Sequence, residues 1–206
     1  AGCCRREYYR RFWWRSEGLA TGVLVLCTGK KTKEIEQLQT HTKEYTATLQ
    51  LGATTASYDL EHTVNHTYPT RHITRQLIEE TLPQFVGDIQ QVPPTYSAVK
   101  VNGDRAYALR RAGEDVTLKP KNVRIDEIEL THYDDENKQL GLRVVCGKGT
   151  YIRSLARDLG RALGSGAFLT ELRRTRVGDF TVDNCVSFEN FREWLEQQDI
   201  EDIQQV

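Results

Sequence analysis

Apolar and polar positions fall into short stretches whose period can be read directly. From Lys43 to Leu51 they alternate: Tyr45, Ala47, Leu49 and Leu51 share one face, Thr46, Thr48 and Gln50 the other, and Gly52 ends the run. A period of two is that of a half-buried strand. Val123 to Leu130 and Leu140 to Cys146 read as two more strands around an Asp134-Asp135-Glu136-Asn137 turn. Helical spacing joins Ile73, Leu77, Ile78, Leu82 and Phe85, closed by Gly87. Tyr151 to Leu163 is predicted helical, with Leu155, Leu159 and Leu163 facing in and Arg153, Arg157 and Arg161 facing out. Lys30 to Gln39, Arg105 to Ala112 and a last segment with Phe188, Phe191, Trp194 and Leu195 complete the predicted helices. Leu19 to Leu26 suits a buried segment, Ala53 to Pro69 a long loop, and Val99 to Gly103 a short strand with a tight turn. Strands in runs with helices between them predict an α+β domain built on a mixed, mainly antiparallel sheet flanked by helices.

Composition narrows this picture. A chain of 206 residues, 38% apolar and 28% charged, matches one ordinary folded domain rather than a disordered segment. No apolar run approaches the roughly 20 residues that span a bilayer, and the start, rich in Arg and aromatics, is unlike a signal peptide. A cytoplasmic protein without a membrane partner is expected. The net charge of −1 conceals an uneven distribution, with basic residues gathered around 148–176 and an acidic chain end at Glu193, Glu196, Asp199, Glu201 and Asp202. A local basic face suits a polyanionic partner held in one orientation, although charge alone favours the plainer reading of a solvated surface. Five cysteines without a C-x-x-C spacing suggest reduced thiols, with neither a zinc site nor a disulfide framework. Residues 1–17 show no periodicity, begin at Ala1 and belong to a chain without Met, so they read as an atypical N-terminal segment whose nativeness is in question.

The strongest local feature is Cys146-Gly-Lys-Gly-Thr-Tyr-Ile-Arg153, at a strand end and a helix start. Its glycines permit a sharp turn, and helix-start N–H groups could meet an anion. It is not a P-loop, because Gly149 stands where Ser or Thr is needed. The turn presents Lys148 for a phosphate, Tyr151 as a flat face for a base and Arg153 to grip a carboxylate; a purely structural turn accounts for the glycines equally well. Tyr45, taken alone, is more simply a core aromatic. Leu172-Arg-Arg-Thr-Arg176 is a phosphate-contacting edge or a solvated one. Asp59 and Glu61 lie near His62 and His66, but carboxylates in a loop are far more often turn formers than metal ligands.

Five segments together resemble the TruB family of tRNA pseudouridine synthases. They are Leu19-Ala-Thr-Gly-Val-Leu24, Lys43-Glu-Tyr-Thr-Ala-Thr-Leu49, Gln91 to Lys100 with Val101 to Tyr107, Gly147 to Gly160, and Leu172 to Gly178, in family order. The resemblance implies a pseudouridine synthase catalytic domain over 18–206, with no C-terminal PUA module evident. It implies conversion of uridine to pseudouridine in the T-loop of tRNA, at position 55, by a monomer needing no metal or organic cofactor. The target uridine must be flipped out of its loop. By the same resemblance Tyr45 stacks on the flipped base, Tyr151 helps to hold it, and Arg153 orients the catalytic carboxylate. Lys43, Lys148, Arg173 and Arg174 are expected to meet the RNA. The family reads Gly-His-x-Gly-Thr-Leu-Asp-Pro before Leu-Ala-Thr-Gly; here Glu17 takes the aspartate position, Gly18 that of the proline and Phe12 that of the histidine. One added methylene displaces the carboxylate by roughly 1 Å, a shift that can cost about 100-fold in rate. The alternative is a catalytically impaired module of the same fold that binds and remodels tRNA.

Overall fold

The computed structural model describes residues 4–7, 20–27, 29–187 and 190–197. In chain order the first half holds β1 (Cys4–Glu7), β2 (Ala20–Leu26), α1 (Ile35–Thr40), β3 (Lys43–Leu51), β4 (Ala53–Thr55), β5 (Val64–Thr67), α2 (Arg75–Thr81) and β6 (Gly87–Gln91). The second half holds β7 (Lys100–Val101), β8 (Asp104–Arg105), α3 (Ala106–Arg111), β9 (Lys121–Asp134), β10 (Gln139–Cys146), α4 (Ile152–Ala162), β11 (Ala167–Val177), β12 (Phe180–Thr181) and α5 (Phe191–Glu196). One sheet runs in the order β1-β2-β11-β3-β10-β9-β6, with β12 paired to β11. Every pairing in it is antiparallel except β2 with β11. The expected α+β fold with a mixed, mainly antiparallel sheet is the one observed.

The alternation of β3 decides which face is buried. Ala47, Leu49 and Leu51 join Leu140, Leu142 and Val144 of β10 and Ile125 of β9 in one core. Helices α2 and α4 cover that face with Ile78, Ile152, Leu155, Leu159 and, just beyond α4, Leu163. The opposite face is polar. Glu44 of β3 accepts a 2.8 Å ion pair from Arg143 of β10, which also reaches Glu127 of β9 at 2.7 Å. Burial alone would raise the Glu44 carboxyl, but bonds from Thr175 and Arg143, with nearby Arg176, hold it below its usual range.

Several expected elements need correction. Residues 53–69 are not one long loop: β4 and β5 form a two-stranded hairpin. All four residues of β5 are exposed, so no apolar alternation announced it. β6 lies at the edge of the sheet and was missed for a similar reason, its Gly-Asp-Ile-Gln-Gln offering one apolar side chain. The 172–176 stretch is not an edge but part of an 11-residue strand, β11, between β2 and β3. The segment from 19 is a strand from Ala20, yet among its apolar side chains only Val23 is fully buried. The outward helical face assigned to Arg153 and Arg157 is not solvent-facing either: Arg157 is 6% exposed and Arg153 is half-buried. The helices over 30–39 and 73–85 form, each completed in part by a 3-10 turn. Phe188, Leu19 and the whole of 8–19 lie outside the described residues.

Candidate functional site

The sheet register gathers Lys43, Tyr45 and Arg174 at one end of the buried face. Lys43 stands opposite Cys146 of β10 and Val177 of β11; Tyr45 stands between Val144 and Arg174. Strand alternation keeps Lys43 and Tyr45 on the same side as the core residues Ala47 and Leu49. The Tyr45 ring packs against the core, so the plain reading of a core aromatic holds for its body. Its polar end meets Arg174: burial pushes the Tyr45 hydroxyl up, while the charge and hydrogen bond of Arg174 pull the other way. Lys43 donates to the Gln39 and His41 carbonyls, both at 2.5 Å. Burial, then the neighbouring charges of Arg174 and Lys148, lower its pKa. Lys43 thus feels the charge of both Arg174 and Lys148 near the Tyr45 end of the sheet.

Arg174 and Arg173 do not act side by side. As consecutive strand residues they leave opposite faces of the sheet: Arg174 pairs with Tyr45, and Arg173 pairs with the exposed Thr46. The Arg174 guanidinium donates to the Val23 carbonyl through Nε at 2.8 Å and Nη2 at 2.5 Å, tying β11 to β2. Gly22 makes this approach possible. It lies at φ +106°, and a Cβ there would sit 2.1 Å from the Arg174 carbonyl oxygen.

Beyond Cys146 the chain turns through Gly147-Lys-Gly-Thr150 into α4. Gly149 supplies the left-handed residue at φ +88°, and the Gly147 N–H donates to the Arg124 carbonyl at 2.9 Å. Lys148 is exposed at the tip. Of the helix-start N–H groups expected to meet an anion, that of Tyr151 is already engaged within the protein. The Tyr151 N–H is taken by the side-chain oxygen of Gln91, at 2.8 Å. Gln91 is 2% exposed and begins a segment that sequence reasoning did not connect with this helix. The Val92 carbonyl accepts from Ser154 at 2.8 Å and Arg157 at 3.1 Å, and the Tyr96 carbonyl accepts from Arg153 Nη2 at 2.8 Å. Residues 91–96 are therefore strapped over the first turns of α4.

The tip of the β4–β5 hairpin reaches the same helix from another side. Arg153 Nη1 donates to Asp59 Oδ2 at 3.0 Å, and the Arg157 guanidinium lies 5.0 Å from the Tyr58 ring centroid. Tyr58 adopts φ 62°, unusual for a residue with a side chain, and its carbonyl accepts the Leu169 N–H at 2.9 Å. Asp59 is a turn former, as expected, accepting from Ser57 Oγ at 2.5 Å and the Glu61 N–H at 2.9 Å. It is also the carboxylate that Arg153 holds, a role with no local signal in the sequence because 94 residues separate the two. Glu17, the carboxylate expected to meet Arg153, lies outside the described residues, as does Phe12.

No set of three or more His, Cys, Asp or Glu among the described residues could hold a metal ion. Nor is any helix among them long and apolar enough to cross a membrane. A groove of about 640 Å³ lies elsewhere, between the end of α2 and β9, lined by Leu82, Pro83, Val86, Ile128 and Leu130; it contains none of the residues above. Cys146 is 1% exposed, and burial pushes its thiol up to about 11. In native protein at pH 8, iodoacetamide is therefore expected to label the half-buried Cys27 and Cys185 well before Cys146, as read by peptide mass spectrometry. Equal labelling of all three would contradict this burial.

Comparison with known proteins gives this geometry a context. Residues 17–152 match the family model described as TruB family pseudouridylate synthase (N terminal domain), and residues 153–206 match tRNA pseudouridylate synthase B C-terminal domain. The boundary falls within the first turn of α4, so β11 from the second match sits between β2 and β3 from the first. A tRNA pseudouridine synthase B of Bacteroides thetaiotaomicron is 62% identical over 185 residues, covering 89% of this chain and 77% of the relative. One from Flavobacterium johnsoniae is 50% identical over 178 residues, covering 86% and 77%. Among solved structures, a chain from a Cbf5-Nop10-Gar1 complex superposes with a TM-score of 0.63 at 26% identity, over 85% of this chain. This chain spans only 43% of that one. The two family matches run without a break from β2 through the rest of the sheet, the Gly147–Thr150 turn and α4, and with relatives this similar the chain belongs to the TruB family of pseudouridylate synthases.

Proposed function

We propose that this protein isomerises uridine to pseudouridine in the T-loop of tRNA, acting as a monomer in the cytoplasm. The reaction is atom-balanced and redox-neutral. The bond from ribose C1′ to uracil N1 breaks, the base turns over, C1′ bonds to C5, and the C5 proton leaves while N1 gains one. The protein must extract the uridine from a folded loop, hold the loose base and supply a carboxylate beside the ribose. Tyr45 offers the stacking surface, and its placement against the core, with Arg174 opposite it on β11 and Lys43 two positions along β3, is the observation that carries the reading. A rigid aromatic face suits any base, and the cations suit the phosphates on either side of it. Tyr151, fixed through its backbone by Gln91, flanks the base at the start of α4. Arg153 orients the carboxylate at position 17, and a guanidinium neighbour keeps such a carboxylate ionised and nucleophilic. Arg173, on the polar face of the sheet, is a backbone contact apart from the base pocket.

A T-arm stem-loop labelled with tritium at uridine C5 tests this. Label is expected to pass to water at a rate proportional to enzyme, with Glu17→Asp the faster of the two proteins because it restores the shorter side chain. Tight binding without label release by either protein would instead support an impaired tRNA-binding module. That alternative draws no support from the comparisons, in which the similar proteins are named as synthases.

A further inference from the structure

Tyr151 follows a turn that gives its backbone little support of its own. Gly149, two residues earlier, lies in the left-handed region at φ +88°, and Tyr151 is the extended N-cap of α4, at φ −105° and ψ 112°, with no side-chain cap bond. The first N–H groups of a helix have no partner within it. The N–H of Tyr151 is met instead by Gln91 Oε1 at 2.8 Å, from 60 residues away, while the Tyr151 carbonyl accepts the Leu155 N–H at 3.0 Å. Both backbone polar groups of Tyr151 are thereby engaged, one by the helix and one by the strap over it. Gln91 is itself held: its backbone pairs with Lys121 of β9 at the end of β6, and the residue is 2% exposed. An N–H needs an acceptor, so the amide oxygen of Gln91 must face Tyr151 and its nitrogen must face away. That Nε2 is buried and bonds to no other described residue, an arrangement that costs stability. What the buried amide supplies to the protein is its oxygen.

We infer that Gln91 is a positioning residue for the isomerisation: by holding the Tyr151 N–H it fixes the backbone from which the Tyr151 ring is hung beside the flipped base. The inference rests on the role proposed for Tyr151. A ring's direction is set by the N, Cα and Cβ atoms at its root, so a backbone that shifts carries the ring with it, and rate is sensitive to sub-ångström misplacement. A role in packing alone makes the opposite demands. For packing, Gln91→Met is the mild change, because it keeps length and volume and removes a buried polar group; Gln91→Glu is the harsh one, because it buries a charge. For positioning the order reverses. Glutamate keeps an oxygen where the N–H points, at a helix start that favours an anion, and methionine offers only a weak acceptor.

The experiment measures kcat and KM on the T-arm stem-loop for the parent protein, Gln91→Met, Gln91→Glu, Tyr151→Leu and the pair Gln91→Met with Tyr151→Leu, beside thermal melts of each. Gln91→Met is expected to lower kcat by roughly tenfold with KM within about twofold, and Gln91→Glu to stay within about threefold of the parent. In the Tyr151→Leu background, itself down at least about tenfold, Gln91→Met should cost less than about twofold, because a residue that acts through the ring has nothing left to place. Gln91→Glu slower than Gln91→Met, equal cost of Gln91→Met in both backgrounds, or full activity of Gln91→Met beside an impaired Tyr151→Leu overturns the inference alone. Full activity of Tyr151→Leu overturns the role of Tyr151 and this inference with it. If Gln91→Met does not stay folded at the assay temperature, Gln91→Asn takes its place, since it keeps the amide but draws the oxygen back by one methylene. A kcat lower by about threefold or more with unchanged KM supports the inference, and any smaller change in kcat overturns it.

Discussion

Tyr45→Ala is expected to lower kcat/KM on a T-arm stem-loop by about 100-fold, whereas Tyr45→Phe should stay within about tenfold of the parent. The asymmetry follows from what each change removes. A base stacked on an aromatic ring is worth about 1–3 kcal/mol, and alanine forfeits all of it. Phenylalanine keeps the ring and loses only a hydroxyl that burial already discourages from ionising and that bonds to Arg174. Alanine also empties space beside the core, because the ring packs against it, so a part of its effect will appear as lost stability of about 2–4 kcal/mol. Melting curves beside the kinetics separate the two. If Tyr45→Ala is destabilised yet retains parental kcat/KM at a temperature where it is folded, the ring is a core residue and nothing more.

Gly22→Ala should be the most damaging single methyl addition in the sheet, lowering stability by at least about 3 kcal/mol. The new Cβ would lie 2.1 Å from the Arg174 oxygen and 2.7 Å from its nitrogen, and both are backbone atoms of a strand paired on either side. Nothing there can rotate away. The backbone at φ +106° adds strain of its own for any residue with a side chain. For a chain of this size such a loss corresponds to a melting temperature lower by roughly 6–12 °C. Gly149→Ala is the control. It shares the left-handed backbone at φ +88° but meets nothing within 4 Å, and should cost only about 1–2 kcal/mol. Equal melting temperatures for Gly22→Ala and the parent would mean that β2 does not lie against β11 as described.

Much of this fold could be read from period alone, for a physical reason. β3 and β10 are interior strands with one wet and one dry face, so Ala47, Leu49 and Leu51 alternate cleanly with polar residues. β11 escaped notice because its second half, Arg173 to Arg176, carries cations toward both faces: Arg174 toward Tyr45, Arg176 toward Glu44. A strand that ends in a site loses the contrast on which recognition of period depends. Charge misled on α4 as well. Arg153 and Arg157 look like a solvent-facing row, yet one holds Asp59 and the other the Val92 carbonyl, partners more than 60 residues away that no local pattern could supply. The residue types of the candidate site, Tyr45, Tyr151, Arg153 and Lys148, were legible because they fall in the segments that resemble the family motifs. The ties that place them, Gln91 and Asp59, were not, since each is an ordinary polar residue until its distant partner is known.

The parallel contact between β2 and β11 carries a consequence for how the molecule comes into being. Ala20 pairs with Leu172, so this contact closes a stretch of about 150 residues, whereas the β9–β10 hairpin closes within a few. Ordering so long an intervening chain is entropically expensive, and nearby pairings reward the chain sooner. The hairpins and β3 should assemble into a framework first, with β2 joining only after the last third of the polypeptide has emerged and β11 has settled against β3. Among the described strands, β2 is therefore made early and seated late.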